Sequence, residues 1–152
     1  NNFVKKSSLS GVDGIIIPDL PIEESDQIRI ICNKYGIHLI PLIAPTSTPQ
    51  RIDNICKKAS GFIYCVSVKG VTGARKNLDY EGLKLFITQI RKKTNLPLLI
   101  GFGISTSDQV KQISEFADGV IVGSSLLNSM MECEEDQVIN KALKFMQSLQ
   151  TK

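Results

Sequence analysis

Five short runs of unbroken apolar residues recur along the chain, at 14–19 (GIIIPD), 39–44 (LIPLIA), 62–68 (FIYCVSV), 98–103 (LLIGFG) and 120–124 (VIVGS). Hydrophobicity that is continuous rather than alternating marks strands covered on both faces, as in a parallel sheet with helices outside. Each run is followed by residues whose apolar positions return at helical spacing. Pro21-Ile-Glu-Glu opens a helix with Ile28, Ile31 and Cys32 on one face, running to Tyr35 and ended by Gly36. Thr48-Pro49 caps the next, which carries Ile52, Ile55 and Cys56 and stops before Gly61. Asp79 heads a third, with Leu83, Phe86, Ile87 and Ile90; Thr106 or Ser107 heads a fourth, with Val110 and Ile113. Residues 126–131 read as a short helix, 134–149 as a terminal one, and the polar stub at 1–10 as half a helix. The pattern is βα five times over. A faint repeat, GVDGIII at 11–17 and FADGVIV at 116–122, places Asp-Gly at the turn into a strand, where the chemistry of the turn accounts for Asp13 and Asp118.

Composition narrows the class. Of 152 residues, 42% are hydrophobic and 22% charged, enough apolar material for one core and too much for a disordered tail. A complete (β/α)₈ barrel takes about 250 residues, so the chain is expected to be a piece of a larger one. The net charge of +3 is mild, and Lys57-Lys58 and Lys92-Lys93 fall on solvated helix faces. Nucleic-acid binding would need a basic stripe with stacking aromatics, and the sequence has neither. Cys32, Cys56, Cys65 and Cys133 show no CxxC spacing, which favours reduced thiols over a disulfide frame or a zinc site. No apolar run reaches membrane-spanning length. The expectation is a soluble cytoplasmic protein, with a plastid stroma as the other compartment suited to its isoleucine- and lysine-rich usage.

The candidate chemistry gathers at the carboxyl ends of the last two strands. LLIGFGIS at 98–105 and DGVIVGSS at 118–125 each put glycine at the turn that follows a strand. Gly101 and Gly103 would let backbone approach a ligand, and Gly123-Ser124 opens a short helix whose free N–H groups favour an anion. This is where (β/α)₈ barrels hold phosphate. The segment 67–79 exceeds an ordinary βα connection of about 2–6 residues and reads as a lid that brings Thr72 and the Gly73 N–H toward substrate. Asp19, between two prolines at the ligand side of the first strand, either holds the turn or faces the site. Tyr64, Phe102, Ile16, Ile43 and Ile121 are strand residues open to two readings, core or the lining of an apolar pocket. His38 starts a strand and so lies on the far face. No nucleophile has a base at motif spacing, so nucleophilic catalysis is not indicated.

In order along nearly the whole chain, GVDGIIIPDLPIEE (11–24), PLIAPT (41–46), GVTG (70–73), GFGIS (101–105) and Gly123-Ser124 resemble the tryptophan synthase alpha chain family. The resemblance implies part of a (β/α)₈ TIM barrel, strands 4 to 8 with their helices, in one incomplete domain. It implies cleavage of indole-3-glycerol phosphate to indole and glyceraldehyde 3-phosphate, with indole passing to a beta chain. Pyridoxal phosphate belongs to that partner, and no cofactor to this chain. Gly73, Gly103, Gly123 and Ser124 would hold the substrate phosphate. Thr72 would close onto a catalytic aspartate, Phe102 and Tyr64 would border the indole, and Asp19 would serve communication with the beta chain. The family's catalytic glutamate and aspartate lie in the first third of the barrel, ahead of the strand that matches 14–19, so this chain is expected to be inactive alone. Val68-Lys69 depart from members that carry arginine in the lid. Three alternatives stay open: another phosphate-binding barrel isomerase or epimerase, a non-catalytic fragment that binds phosphate or docks on a beta chain, and an open doubly wound sheet.

Overall fold

The computed structural model describes residues 1–67, 79–101, 103–131 and 134–150. Within them six parallel strands follow one another in chain order. β1 (Gly14–Ile16) pairs with β2 (His38–Ile40), and β3 (Leu42–Ile43), β4 (Ile63–Val66), β5 (Leu98–Gly101) and β6 (Gly119–Val120) pair successively. A doubly wound sheet would reverse its order at a switch point. The order here never reverses, so that alternative is set aside and the strands form a stretch of barrel wall.

The wall has six strands where the hydrophobic pattern predicts five, because 39–44 is divided at Pro41. Proline has no N–H to give the ladder. Residues 38–40 therefore pair with β1 and residues 42–43 with β4, while the Pro41 carbonyl still accepts from the Tyr64 N–H at 3.0 Å.

Helices fill the connections: α1 (Asn2–Leu9), α2 (Asp26–Lys34), α3 (Pro49–Lys58), α4 (Tyr80–Arg91), α5 (Ser107–Ser114), α6 (Ser124–Met130) and α7 (Val138–Leu149). The polar stub is thus a full two turns of helix, anchored by the buried Val4. Two predicted helix starts are 3₁₀ turns instead, Ile22–Glu24 ahead of α2 and Glu135–Gln137 ahead of α7. At the first, the buried Ser25 donates its hydroxyl to the Ile22 carbonyl at 2.7 Å, satisfying locally a group that a continuous helix would have to satisfy. The caps agree with the sequence reading. Thr48 Oγ1 accepts from the Arg51 N–H at 3.3 Å, Asp79 Oδ1 from the Gly82 N–H at 2.9 Å, and Gly36 leaves α2 at φ +70°.

Register assigns the two faces of the wall. Ile43, Cys65, Ile100 and Val120 stand in one cross-strand row and pack beneath α3, α4 and α5 with Ile52, Ile55, Phe86, Ile87, Ile90 and Ile113. Each such aliphatic side chain taken out of water contributes about 1.5–3 kcal/mol. A second cluster of Val4, Cys32, Ile37 and Leu39 closes the α1–α2 end. The alternate row, Leu42, Tyr64, Leu99 and Gly119, faces the other way, toward the barrel lumen.

The repeated Asp-Gly turns act at the amino ends of the strands. Asp13 offers its carbonyl to the His38 N–H at 2.8 Å, and Asp118 Oδ2 accepts from the Leu98 N–H at 2.7 Å while pairing with Arg91. Both are structural, and His38 lies at that same end.

Candidate phosphate cradle at the carboxyl ends of the strands

The cradle is built from α5 backward. Thr106 and Gln109 form a reciprocal capping box, and the buried Gln109 carbonyl oxygen also accepts from the Ser105 N–H at 2.8 Å. This ties the chain that follows Gly103 to the first turn of α5. Gly103 itself sits at φ +84°, a conformation that L side chains rarely adopt. The second half comes from β6. Gly123 is the N-cap residue of α6 and supplies no side-chain cap, and a Cβ added there would meet nothing within 4 Å. The Ser125 hydroxyl donates to the Ile104 carbonyl at 3.1 Å, drawing the first turn of α6 against the loop that carries Gly103. Gly103, Gly123 and Ser124 are thus gathered and exposed at the carboxyl ends of β5 and β6, with the amino end of α6 open toward them. Thr72 and Gly73, together with Val68 and Lys69 of the expected lid, lie outside the described residues, as does Phe102.

Of the apolar candidates, Tyr64 stands in the lumen row. Ile16 takes the face opposite Ile15, which packs on the α1–α2 cluster, and Ile121 the face opposite Val120 and Val122, which pack on the main core. Ile43 is a correction. It shares its row with Cys65, is fully buried beneath α3, and leaves the lumen side to Leu42. Gly101 also differs from expectation: a Cβ there would collide with the ring and hydroxyl of Tyr64, so this glycine makes room for a side chain rather than for a ligand. Burial pushes the Tyr64 phenol up. Asp19 is exposed in a turn closed by the Leu20 N–H on the Ile17 carbonyl at 3.2 Å, at the carboxyl end of β1. Burial likewise pushes the Cys65 thiol to about 12, which suits a core residue and not a nucleophile.

Two residues that organise the cradle, Gln109 and Ser125, were not among the sequence candidates. The spacing Thr106-x-x-Gln109 carries the capping-box signal that could have found the first; nothing local marks the second, whose partner is 21 residues away. Among the described residues no three His, Cys, Asp or Glu side chains are grouped to hold a metal ion, and no helix is long and apolar enough to cross a membrane.

Successive β/α units whose parallel strands follow one another in chain order are the build of a (β/α)₈ barrel. The model of the tryptophan synthase alpha chain family matches residues 1–152, and the chain belongs to that family. It is 46% identical over 144 residues to the tryptophan synthase alpha chain of Carboxydothermus hydrogenoformans, covering 95% of this chain and 52% of that protein. Against the alpha chain of Methanocaldococcus jannaschii it is 50% identical over 125 residues, covering 82% of this chain and 44% of that one. Among solved structures, the alpha subunit from Campylobacter jejuni superposes with a TM-score of 0.85 at 35% identity, over 98% of this chain and 58% of that one. A chain of the tryptophan synthase a2b2 complex from Pyrococcus furiosus gives 0.84 at 31% identity, over 97% and 59%. The chain spans about half the length of the relatives it matches, and its fold is the corresponding part of their TIM barrel.

Proposed function

We propose that this chain supplies the phosphate-binding side of a site that cleaves indole-3-glycerol phosphate to indole and glyceraldehyde 3-phosphate. The observation that supports it most directly is the Ser125–Ile104 hydrogen bond, which brings the Gly103 turn to the open amino end of α6. There the backbone N–H groups and the helix dipole favour an anion without any cationic side chain. Gly103, Gly123 and Ser124 would take the phosphate with Gly73 as a fourth donor, and Thr72 would close over it. Tyr64, Ile16 and Ile121, with Phe102, would border the indole on the lumen face.

Retro-aldol cleavage moves protons at the indole ring and at a glycerol hydroxyl, and loss of a general acid/base costs about 10²–10⁴-fold. We place that pair, a glutamate and an aspartate, in the part of the family barrel that precedes β1, so the chain alone binds the phosphate end and does not turn over. The indole product would pass to a beta chain that carries pyridoxal phosphate, with Asp19 at the mouth nearest that partner, and this chain would need no cofactor of its own. Tryptophan biosynthesis in the cytoplasm is the setting this reading implies.

Binding of glycerol 3-phosphate, followed by the amide shifts of Gly103, Gly123 and Ser124, tests the cradle. Gly123→Asp, where an added Cβ meets nothing, places a carboxylate against the phosphate and should abolish binding with α5 and the core unchanged, and Gly103→Asp should abolish it through that charge together with the strain of a side chain at φ +84°. Unchanged affinity in either would remove that glycine from the site. Indole release should be absent from the chain alone and appear when the preceding part of the barrel is added; turnover by the chain alone would move the chemistry to residues present here, Asp19 first.

A further inference from the structure

The division of the wall at Pro41 leaves more than a bent strand. β1 stays paired with β2 only as far as Ile16 and Ile40, and β3 belongs to the neighbouring sheet. Between the two, beneath α2 and α3, a crevice of about 490 Å³ opens, within the size range of small-molecule sites. Its lining is apolar at Ile17, Ile22 and Ile55, and three cations line it: Arg29, Arg51 and Lys58.

No Asp or Glu is among the lining residues. The carboxylates that partner these cations lie outside the crevice and are too few. Asp26 Oδ1 serves both Arg29 Nη2 at 3.0 Å and Lys58 Nζ at 2.7 Å, and Glu23 serves Arg51 at 3.3 Å. Three positive charges against two negative ones leave one uncompensated. A neutral ligand would leave the charge standing, and a phosphate dianion would overshoot it. An apolar body with a single carboxylate answers the apolar lining and the charge together.

We propose that the crevice between α2 and α3 binds a small aryl or branched-alkyl carboxylate, its carboxylate on the guanidinium of Arg29 and its apolar body over Ile17 and Ile55. The site shares no residue with the phosphate cradle, so the two readings stand or fall separately.

Phenylacetate is the probe, titrated into the full chain labelled at isoleucine methyls, with phenylacetamide as the neutral isostere. Ile17 and Ile55 should shift saturably while Ile121, on the lumen face, stays put. Phenylacetamide and the variant Arg29→Gln should each bind roughly tenfold more weakly, the loss expected for one charge-assisted hydrogen bond. Lys93→Gln, whose pair with Asp53 lies elsewhere, should bind as the parent does. If Arg29→Gln loses its dispersed methyl spectrum, Arg51→Gln reports on the charge instead and should also weaken binding. The absence of a saturable shift, equal binding of the amide, or shifts confined to Ile121 would each overturn the proposal. Glycerol 3-phosphate read at the Gly103 and Gly123 amides in the same sample tells its failure apart from failure of the cradle.

Discussion

Asp118 shows how one side chain can hold three segments. Its Oδ2 accepts from the Leu98 N–H at the start of β5 and pairs with Arg91, whose other nitrogen donates to the Leu96 carbonyl at 3.0 Å. The end of α4 and the starts of β5 and β6 are thereby fixed at one point. The Leu98 N–H first, and Arg91 after it, hold the Asp118 carboxyl below its ordinary value of 3.8. A group whose folded pKa is depressed stabilises fully above its unfolded value, and that contribution is lost as pH falls through the folded value. Asp118→Ala should therefore lower stability by about 1–2 kcal/mol at neutral pH, most of it from the charged hydrogen bond, since half-exposed ion pairs contribute little. The difference in thermal midpoint between parent and variant should narrow as pH drops below 3.8. A difference independent of pH would show that the carboxylate charge plays no part.

At the scale of elements, what the sequence makes legible depends on whether a local alternative exists. Thr48, Asp79 and Thr106 announce their helices because a side-chain acceptor three residues ahead of a free N–H is a local arrangement. Gly103 is legible for a similar local reason, since its positive φ admits little else. The strands were recognisable as unbroken apolar runs, yet that very continuity hides which residue faces which layer. With no polar alternation in LIPLIA, nothing local separates Ile43, which packs under α3, from Leu42, which faces the lumen. Pro41 gave the one hint, because a residue without an N–H inside a strand run argues against an uninterrupted ladder. Gln109 connects this scale to the site: its carbonyl oxygen takes N–H groups from Ser105 and Thr106 at 2.8 and 3.1 Å, and so holds the loop after Gly103. Gln109→Ala should cost about 1–2 kcal/mol and weaken glycerol 3-phosphate binding, while Thr48→Ala, a cap remote from the cradle, should cost about 1 kcal/mol and leave that binding alone. Calorimetric titration of both variants distinguishes the two; equal affinities would mean that the loop keeps its shape without the box.

For the molecule as a whole, exposed apolar residues recur at both ends of the arc. Along α7, Ile139, Leu143 and Met146 recur at helical spacing and are 73%, 54% and 46% exposed. On α1, at the other end, Phe3 and Leu9 are exposed too, and β1 and β6 each have a single paired neighbour among the described residues. Edges and stripes of this kind favour association unless they are covered. In the alpha subunit from Campylobacter jejuni the barrel continues beyond the matched part, this chain covering 58% of it. The chain on its own should therefore self-associate as concentration rises. Replacing Ile139 and Leu143 together by lysine removes two side chains worth about 1.5–3 kcal/mol each when buried, so association through α7 should weaken by roughly a hundredfold or more. The fold beneath should survive, because the anchor of α7 is the buried Leu149 on another face. Sedimentation velocity over a range of concentrations, with circular dichroism as the check on folding, decides the matter. A parent chain that stays monomeric throughout would show that these stripes are tolerated in water, and a double variant that associates as the parent does would move the contact to α1 or to the strand edges.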